Sequence, residues 1–367
     1  MEITRRHLLA GLVAGGASLA LERDAFAARP RSARGTILGF GKGIAPDGTP
    51  LFVGAIADLD DRSLGLVDLD FFGHGFARHP TQPDRAIVFE KRGPGCCEID
   101  LKQRRMVRKI PAPPGCSFYG HGTFSKDGET LFVAETELKS YDGRIAILDG
   151  KTLEEIGTFP TYGSSPHDCM LVGNGAALAV TNGGSAAVDS PGSVAFVEVK
   201  TGKLLEKLPV PDQRLNAGHV AISEKGDVVA ISAPRDGLPL EEAGGVSIRP
   251  AKGSFATMGQ PAAVTKGLRG EALSVAVHDQ RRLAAVTHPD ANLVTIWDLA
   301  TAKLVKTLSM PAPRGITATL DGADLVVSHS GGKLSMVPWR DLEAAAPLPL
   351  GQTPFGGSHL YTLRPIG

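Results

Sequence analysis

Tyr119-Gly120-His121-Gly122-Thr123-Phe124-Ser125-Lys126-Asp127-Gly128-Glu129-Thr130-Leu131-Phe132-Val133-Ala134-Glu135 is the clearest copy of a unit that recurs from one end of the chain to the other. A Gly-His pair opens an apolar strand, Asp127-Gly128 makes a tight hairpin turn, and a second apolar strand, Leu131 to Ala134, ends on a charged residue. Weaker copies recur along the chain. The second strands are Leu51 to Ala55, Ala86 to Glu90, Leu131 to Glu135, Leu178 to Asn182, Val229 to Ala233, Ala284 to His288 and Leu325 to His329. At the openings of the first strands stand His74, His121, His167, His219, Ser274, Gly315 and His359. Successive openers are 47, 46, 52, 55, 41 and 44 residues apart, the period at which a chain builds one four-stranded propeller blade per repeat.

Residues 36 to 72 carry strands (Thr36 to Phe40, Leu51 to Ile56, Leu64 to Leu69) without a Gly-His opener, whereas Ser358-His359-Leu360-Tyr361-Thr362-Leu363 is a lone strand with nothing after it. The C-terminal strand therefore completes the blade begun at the N-terminus, a closure that ties the ends together and protects strand edges. The expectation is an all-β, seven-bladed β-propeller over residues 36–367. Later strands follow as hairpins, such as Arg144 to Asp149 with Glu155 to Phe159 and Leu293 to Leu299 with Lys303 to Leu308. The 45 glycines and 26 prolines fall where hairpins need them. Charge balances at 39 basic against 39 acidic residues, which gives no electrostatic case for nucleic acid or an anionic membrane surface as partner.

Residues 1–27 read as a twin-arginine signal peptide: Thr4-Arg5-Arg6-His7-Leu8-Leu9, an apolar run to Leu21, and an Ala25-Phe26-Ala27 cleavage signal. The expected location is the periplasm, with residues 28–35 as a tether and no stable membrane span after cleavage. Four cysteines follow, Cys96, Cys97, Cys116 and Cys169. An oxidising compartment allows disulfides among them, with one of the adjacent pair expected to reach Cys116 or Cys169. The lack of Cys-x-x-Cys-His excludes covalent c-type haem attachment.

In an antiparallel blade the start of the first strand and the end of the second lie on the same face. Both positions then gather around one mouth of the central channel. Five blades bring a His at the opener, His74, His121, His167, His219 and His359; the blades opened by Ser274 and Gly315 bring His288 and His329 at the end of the second strand. Seven imidazoles would share one rim, leaving only His79 and His278 of the nine in the mature chain. Imidazole is the commonest transition-metal ligand. With Glu90 and Glu135 on the same rim, and Asn182 in the third position, a mixed shell favours iron or zinc, an all-His shell leans toward copper, and the carboxylates could instead orient the rings; the expected ion is iron, with copper or zinc as alternatives. Two other readings stand beside the metal: each His bonding within its own blade, and an anion site, since Arg92 and Arg235 closely follow second strands.

Gly150-Lys151-Thr152 lacks the upstream Gly of a phosphate loop and joins two strands, so it is set aside. Asp58, Asp60 and Asp61 read as a solvated loop. The segments Gly183 to Gly192 and Pro234 to Gly245 are the longest irregular ones.

Phe118-Tyr119-Gly120-His121-Gly122 with Ser125-x-Asp127-Gly128, Ser165-Pro166-His167-Asp168, Asn182-Gly183-Gly184 and the twin-arginine leader together resemble the bacterial family known as domain of unknown function 1513. The resemblance covers essentially the whole chain. It implies an exported propeller that works beside imelysin-type iron-uptake proteins and a di-haem cytochrome-like oxidoreductase, hence a role in metal uptake or envelope redox chemistry with envelope proteins as partners. The family has no assigned reaction, so the resemblance transfers no catalytic residue. Two alternatives remain at this point. One is a lactonase-type hydrolase with Glu90, Glu135 and Asn182 around an axial ion; the other is a non-catalytic envelope scaffold.

Overall fold

The computed structural model describes residues 34–239, 244–342, 346–348, 350, 353–364 and 366. Residues 1–27, read above as a signal peptide, and residues 28–33 of the expected tether lie outside them. Among the described residues the only α-helix is the single turn Ala262–Thr265; nearly everything else regular is antiparallel strand. The strands form five sheets of four and one of eight, and the eight divide into two further units of four where Lys91 pairs with Tyr119 and Gly93 with Phe118. The chain is a β-propeller, its units following one another in sequence and packing face to face.

The ring closes as its ends predict. Leu360–Leu363 pairs antiparallel with Thr36–Ile44, in the register Thr36 to Leu363 and Gly39 to Leu360, and Pro50–Asp58 and Leu64–Leu69 complete that sheet. A C-terminal strand is thus the innermost of a blade whose other three are N-terminal. The predicted later hairpins are present as well, among them Asp142–Asp149 with Glu155–Ser164 and Leu293–Asp298 with Lys303–Ser309.

Adhesion between blades follows from strand composition. The second and third strands are apolar on both faces, as strands sandwiched between neighbouring sheets must be. One interblade layer joins Phe40, Val67, Phe76, Val88 and Ile99; another joins Ile231, Val246, Val286 and the fully buried Trp297. Each such large side chain contributes roughly 1.5–3 kcal/mol by leaving water. The layers also keep three of the cysteines apart, with Cys97, Cys96 and Cys169 each in a different one. Cys96 and Cys97 are neighbours on one strand, Cys96–Asp100, so their thiols enter opposite interblade layers, and all four cysteines are free. The expected bridge to Cys116 or Cys169 is corrected accordingly; burial raises the Cys97 thiol to about 12.

Seven strands lie innermost: Gly73–Arg78, Cys116–Phe124, Pro166–Val172, His219–Ile222, Ser274–His278, Ile316–Ala318 and Leu360–Leu363. Three carry a bulge at their histidine. The register slips between Gly73 and Gly75, between Phe118 and Gly122, and between Pro166 and Cys169. A bulge bends its strand and re-aims the extra residue, here His74, His121 and His167.

Candidate metal centre

Crowding at the axis selects the residues around each bulge. A Cβ on Gly75 would stand 1.8 Å from the carbonyl oxygen of Gly120 in the next blade, so the two inner strands meet without room for a side chain. Gly120 itself has φ +114, and a Cβ there would lie 2.6 Å from the His74 ring. The Gly-His-Gly spelling therefore lets neighbouring backbones close in while the imidazole between them turns toward the axis.

Bulging frees backbone groups, and hydroxyls from the second strands take them up. Thr181 Oγ1 accepts from the Asp168 N–H at 2.8 Å and donates to the Gly218 carbonyl of the next blade at 2.6 Å. Thr287 does the same between the Ser274 N–H at 3.0 Å and the Arg314 carbonyl at 2.6 Å. Each hydroxyl ties two blades together beside the axis.

Five imidazoles meet there. His74, His121, His167 and His219 are buried with ligand atoms all within 4.8 Å of one another, a group that could hold a metal ion. His359 joins them, its Nε2 3.3 Å from His74 Nε2 and its ring 4.2 Å from that of His219. His74 Nε2 lies 3.4 Å from His167 Nε2, which is 3.1 Å from His219 Nε2.

Four of the five outward nitrogens, those of His121, His167, His219 and His359, face acceptors, which leaves their inward nitrogens to offer lone pairs. His167 Nδ1 lies 3.0 Å from the Tyr119 carbonyl and His359 Nδ1 3.4 Å from Ser274 Oγ. One carboxylate, Asp168, serves two rings, 3.3 Å from His219 Nδ1 and 3.7 Å from His121 Nδ1. A proton on each Nδ1 places the lone pair on Nε2. Burial pushes the imidazoles of His74, His167 and His359 well below the ordinary histidine value and His121 to about 3, with further lowering from neighbouring rings and Lys91, so all four are neutral at pH 7. Burial alone would raise the Asp168 carboxyl, but the His121 and His219 rings that face it bring it down to about 2.

Without a cation these nitrogens conflict. An Nε2 carries one hydrogen or one lone pair. In the run His359, His74, His167, His219 the two middle atoms each take part in two contacts, so three contacts hold at most two ordinary hydrogen bonds. His121 Nε2 is buried with no partner at all. A metal ion accepts several lone pairs at once, and metal–nitrogen bonds of about 2.0–2.1 Å in a tetrahedron put neighbouring nitrogens about 3.3 Å apart, close to the 3.1–3.4 Å of the three Nε2 contacts in this run.

The expected rim of seven is corrected to five. His288 and His329 end second strands, one strand farther from the axis, and each turns to its own third strand. His288 Nε2 bonds Thr295 Oγ1 at 2.9 Å and His329 Nε2 bonds Ser335 Oγ at 2.9 Å, the bonding within a blade that was the plainer alternative. The same offset removes Glu90, which accepts from the Gly95 N–H, Glu135, which pairs with Arg144 at 2.7 Å, and Asn182, which donates to the Thr161 carbonyl. Their blades need no second imidazole: Ser274 supports His359, and a Cβ at Gly315 would stand 2.7 Å from the His359 carbonyl carbon. Asp168 is the functional residue missed by counting histidines, although Ser-Pro-His-Asp stood out as a motif. Changing Asp168 to Asn should weaken metal binding about 10- to 100-fold, because an amide can present its oxygen to only one of the two Nδ1–H groups. Competition with a chromogenic chelator checks this, and unchanged affinity would remove Asp168 from the site.

Comparison with known proteins agrees with this architecture. No protein of curated function matches the sequence. Among solved structures, the hydrazine synthase of Kuenenia stuttgartiensis superposes with a TM-score of 0.64 at 15% identity, over 82% of this chain and 95% of that one, a likeness of fold. The family profile described as "Protein of unknown function (DUF1513)" matches residues 67–351, a span that includes His74, His121, His167, Asp168 and His219, and the chain belongs to that family.

Proposed function

We propose that this protein binds one first-row transition-metal ion at the axial histidine cluster and holds it in the periplasm for metal uptake or for a partner oxidoreductase. The convergence of Nε2 atoms at 3.1–3.4 Å, with the opposite nitrogens of His121, His167, His219 and His359 facing acceptors, carries the reading. Neutral imidazoles suit copper, zinc, iron and nickel and disfavour calcium and magnesium. With Glu90 and Glu135 engaged elsewhere, the donor set is imidazole alone, which moves copper and zinc ahead of iron; copper leads on intrinsic affinity. Ligand arrangement argues against the lactonase reading, since Glu90, Glu135 and Asn182 are each committed to partners away from the axis.

Export by the twin-arginine route belongs to the proposal, because that pathway carries folded proteins and would let the site fill before or after crossing. Elemental analysis of full-length protein, recovered after export by its own leader, is expected to find about one copper, zinc or iron per chain. A protein that is metal-free on isolation and takes up none of the three from solution would end this reading and leave an envelope scaffold.

A further inference from the structure

The two ends of the histidine cluster differ. The inner strands Gly73–Arg78, Pro166–Val172 and His219–Ile222 begin at the cluster and run away from it, so one end of the cluster faces the loops that enter those strands and the other looks down the channel. At the loop end the space is about 30 Å³, roughly one water molecule. Arg92 closes it, pairing with Asp236 at 2.8 Å and lying 5.2 Å from the Tyr119 ring, while Lys91 stands 3.7 Å from Glu271. The channel end opens into a cavity of about 350 Å³ that starts at His121, His219 and His359. That cavity shares Thr317, Leu360 and Tyr361 with a wider one of about 880 Å³ whose rim carries Arg78 and Arg364. The two cavities thus lie next to each other between the cluster and the face that carries Arg78 and Arg364.

We propose that the metal keeps a coordination position turned down this channel and takes a small anion there, arriving from the face that carries Arg78 and Arg364. This inference rests on the metal reading above. His74, His167, His219 and His359 stand at or just before the starts of inner strands and His121 is the sixth of nine residues in Cys116–Phe124, while the wall residues Val220, Val275 and Leu360 carry no ligating side-chain atom. Charge selects the ligand. A divalent ion among the rings is offset by the single Asp168 carboxylate, and behind the cluster the Lys91 charge is paired with Glu271, so the centre stays net positive. Apart from Asp168, every charged side chain is absent from the lining of the inner cavity, whose polar groups include the hydroxyls of Ser274, Thr317 and Tyr361. A net positive centre at the closed end of an uncharged, partly apolar channel favours a compact anion over a cation or a bulky polar molecule.

Azide is the probe. Full-length protein carrying one copper(II) per chain by elemental analysis should show a saturable azide-to-copper charge-transfer band. Ala318→Trp, which fills the channel, should weaken azide binding at least tenfold with copper content unchanged, and the milder Ala318→Leu should weaken it less. Arg92→Ala, at the closed end, should leave azide affinity as in the parent. A stoichiometric copper protein with no azide band overturns the open position while leaving the metal site standing, and full azide affinity in both Ala318 variants overturns the route. A chain that takes up no metal fails earlier, at the elemental analysis, and takes this inference with it.

Discussion

Replacing His121 and His167 together by Ala is expected to abolish stoichiometric metal binding, lowering affinity by about 10⁴-fold. Apparent binding free energies of about 10–16 kcal/mol for four-ligand metal sites amount to about 3 kcal/mol or more per ligand, so two lost ligands cost about 6 kcal/mol. The two residues come from different inner-strand bulges, and their removal leaves three rings around the ion. His288→Gln is the control. Its ring is buried, neutral and bonded to Thr295, yet it lies off the axis, so metal content should stay at the parent level. Elemental analysis and chelator competition on the three proteins decide the matter. A double variant that keeps its metal, or a His288→Gln protein that loses it, would show that the centre is elsewhere.

Acid should unfold the metal-free protein steeply below pH 6.5. The sign follows from linkage: buried imidazoles have folded-state pKa values below the unfolded value of about 6.5, so the unfolded chain binds more protons and stability falls as pH falls. For His288 burial sets the folded value near 3, and for His121 burial does the same against the opposing Asp168 carboxylate, which places the loss between pH 6.5 and about 3. His74, His167 and His359 shift in the same direction. Urea denaturation at pH 7 and pH 4.5 is the measurement, with a clearly lower midpoint expected at pH 4.5. Saturating zinc should restore part of the difference at intermediate pH, because the ion binds only neutral rings. A midpoint independent of pH across this range would mean that these rings are solvated rather than buried.

The repeat was legible because each blade repeats the same local physics. Alternating apolar strands, an Asp-Gly turn and a fixed spacing between openers dictate four-stranded units of similar size, and a lone terminal strand without a partner dictates closure. The five opener histidines were legible for the same reason, since a residue at the start of an innermost strand can reach the axis. Other assignments failed on distances that sequence does not carry. The end of a second strand shares a face with the opener but sits one strand spacing, about 4.8 Å, farther out. That offset gave His288 and His329 to Thr295 and Ser335, and Glu135 to Arg144. The cysteine expectation failed likewise, because Cys96, Cys97 and Cys169 fall in three different interblade layers.

By itself, then, the sequence determined a closed array of β-blades and the placing of five imidazoles at equivalent positions, because both follow from periodicity. Tertiary structure decided which nitrogens face inward. It did so through bulges that aim His74, His121 and His167, through Asp168 facing two rings from neighbouring blades, and through Ser274 supporting an imidazole that arrives from the far end of the chain. Those contacts join residues separated by up to 85 positions, and they exist only once the blades have packed around a common axis.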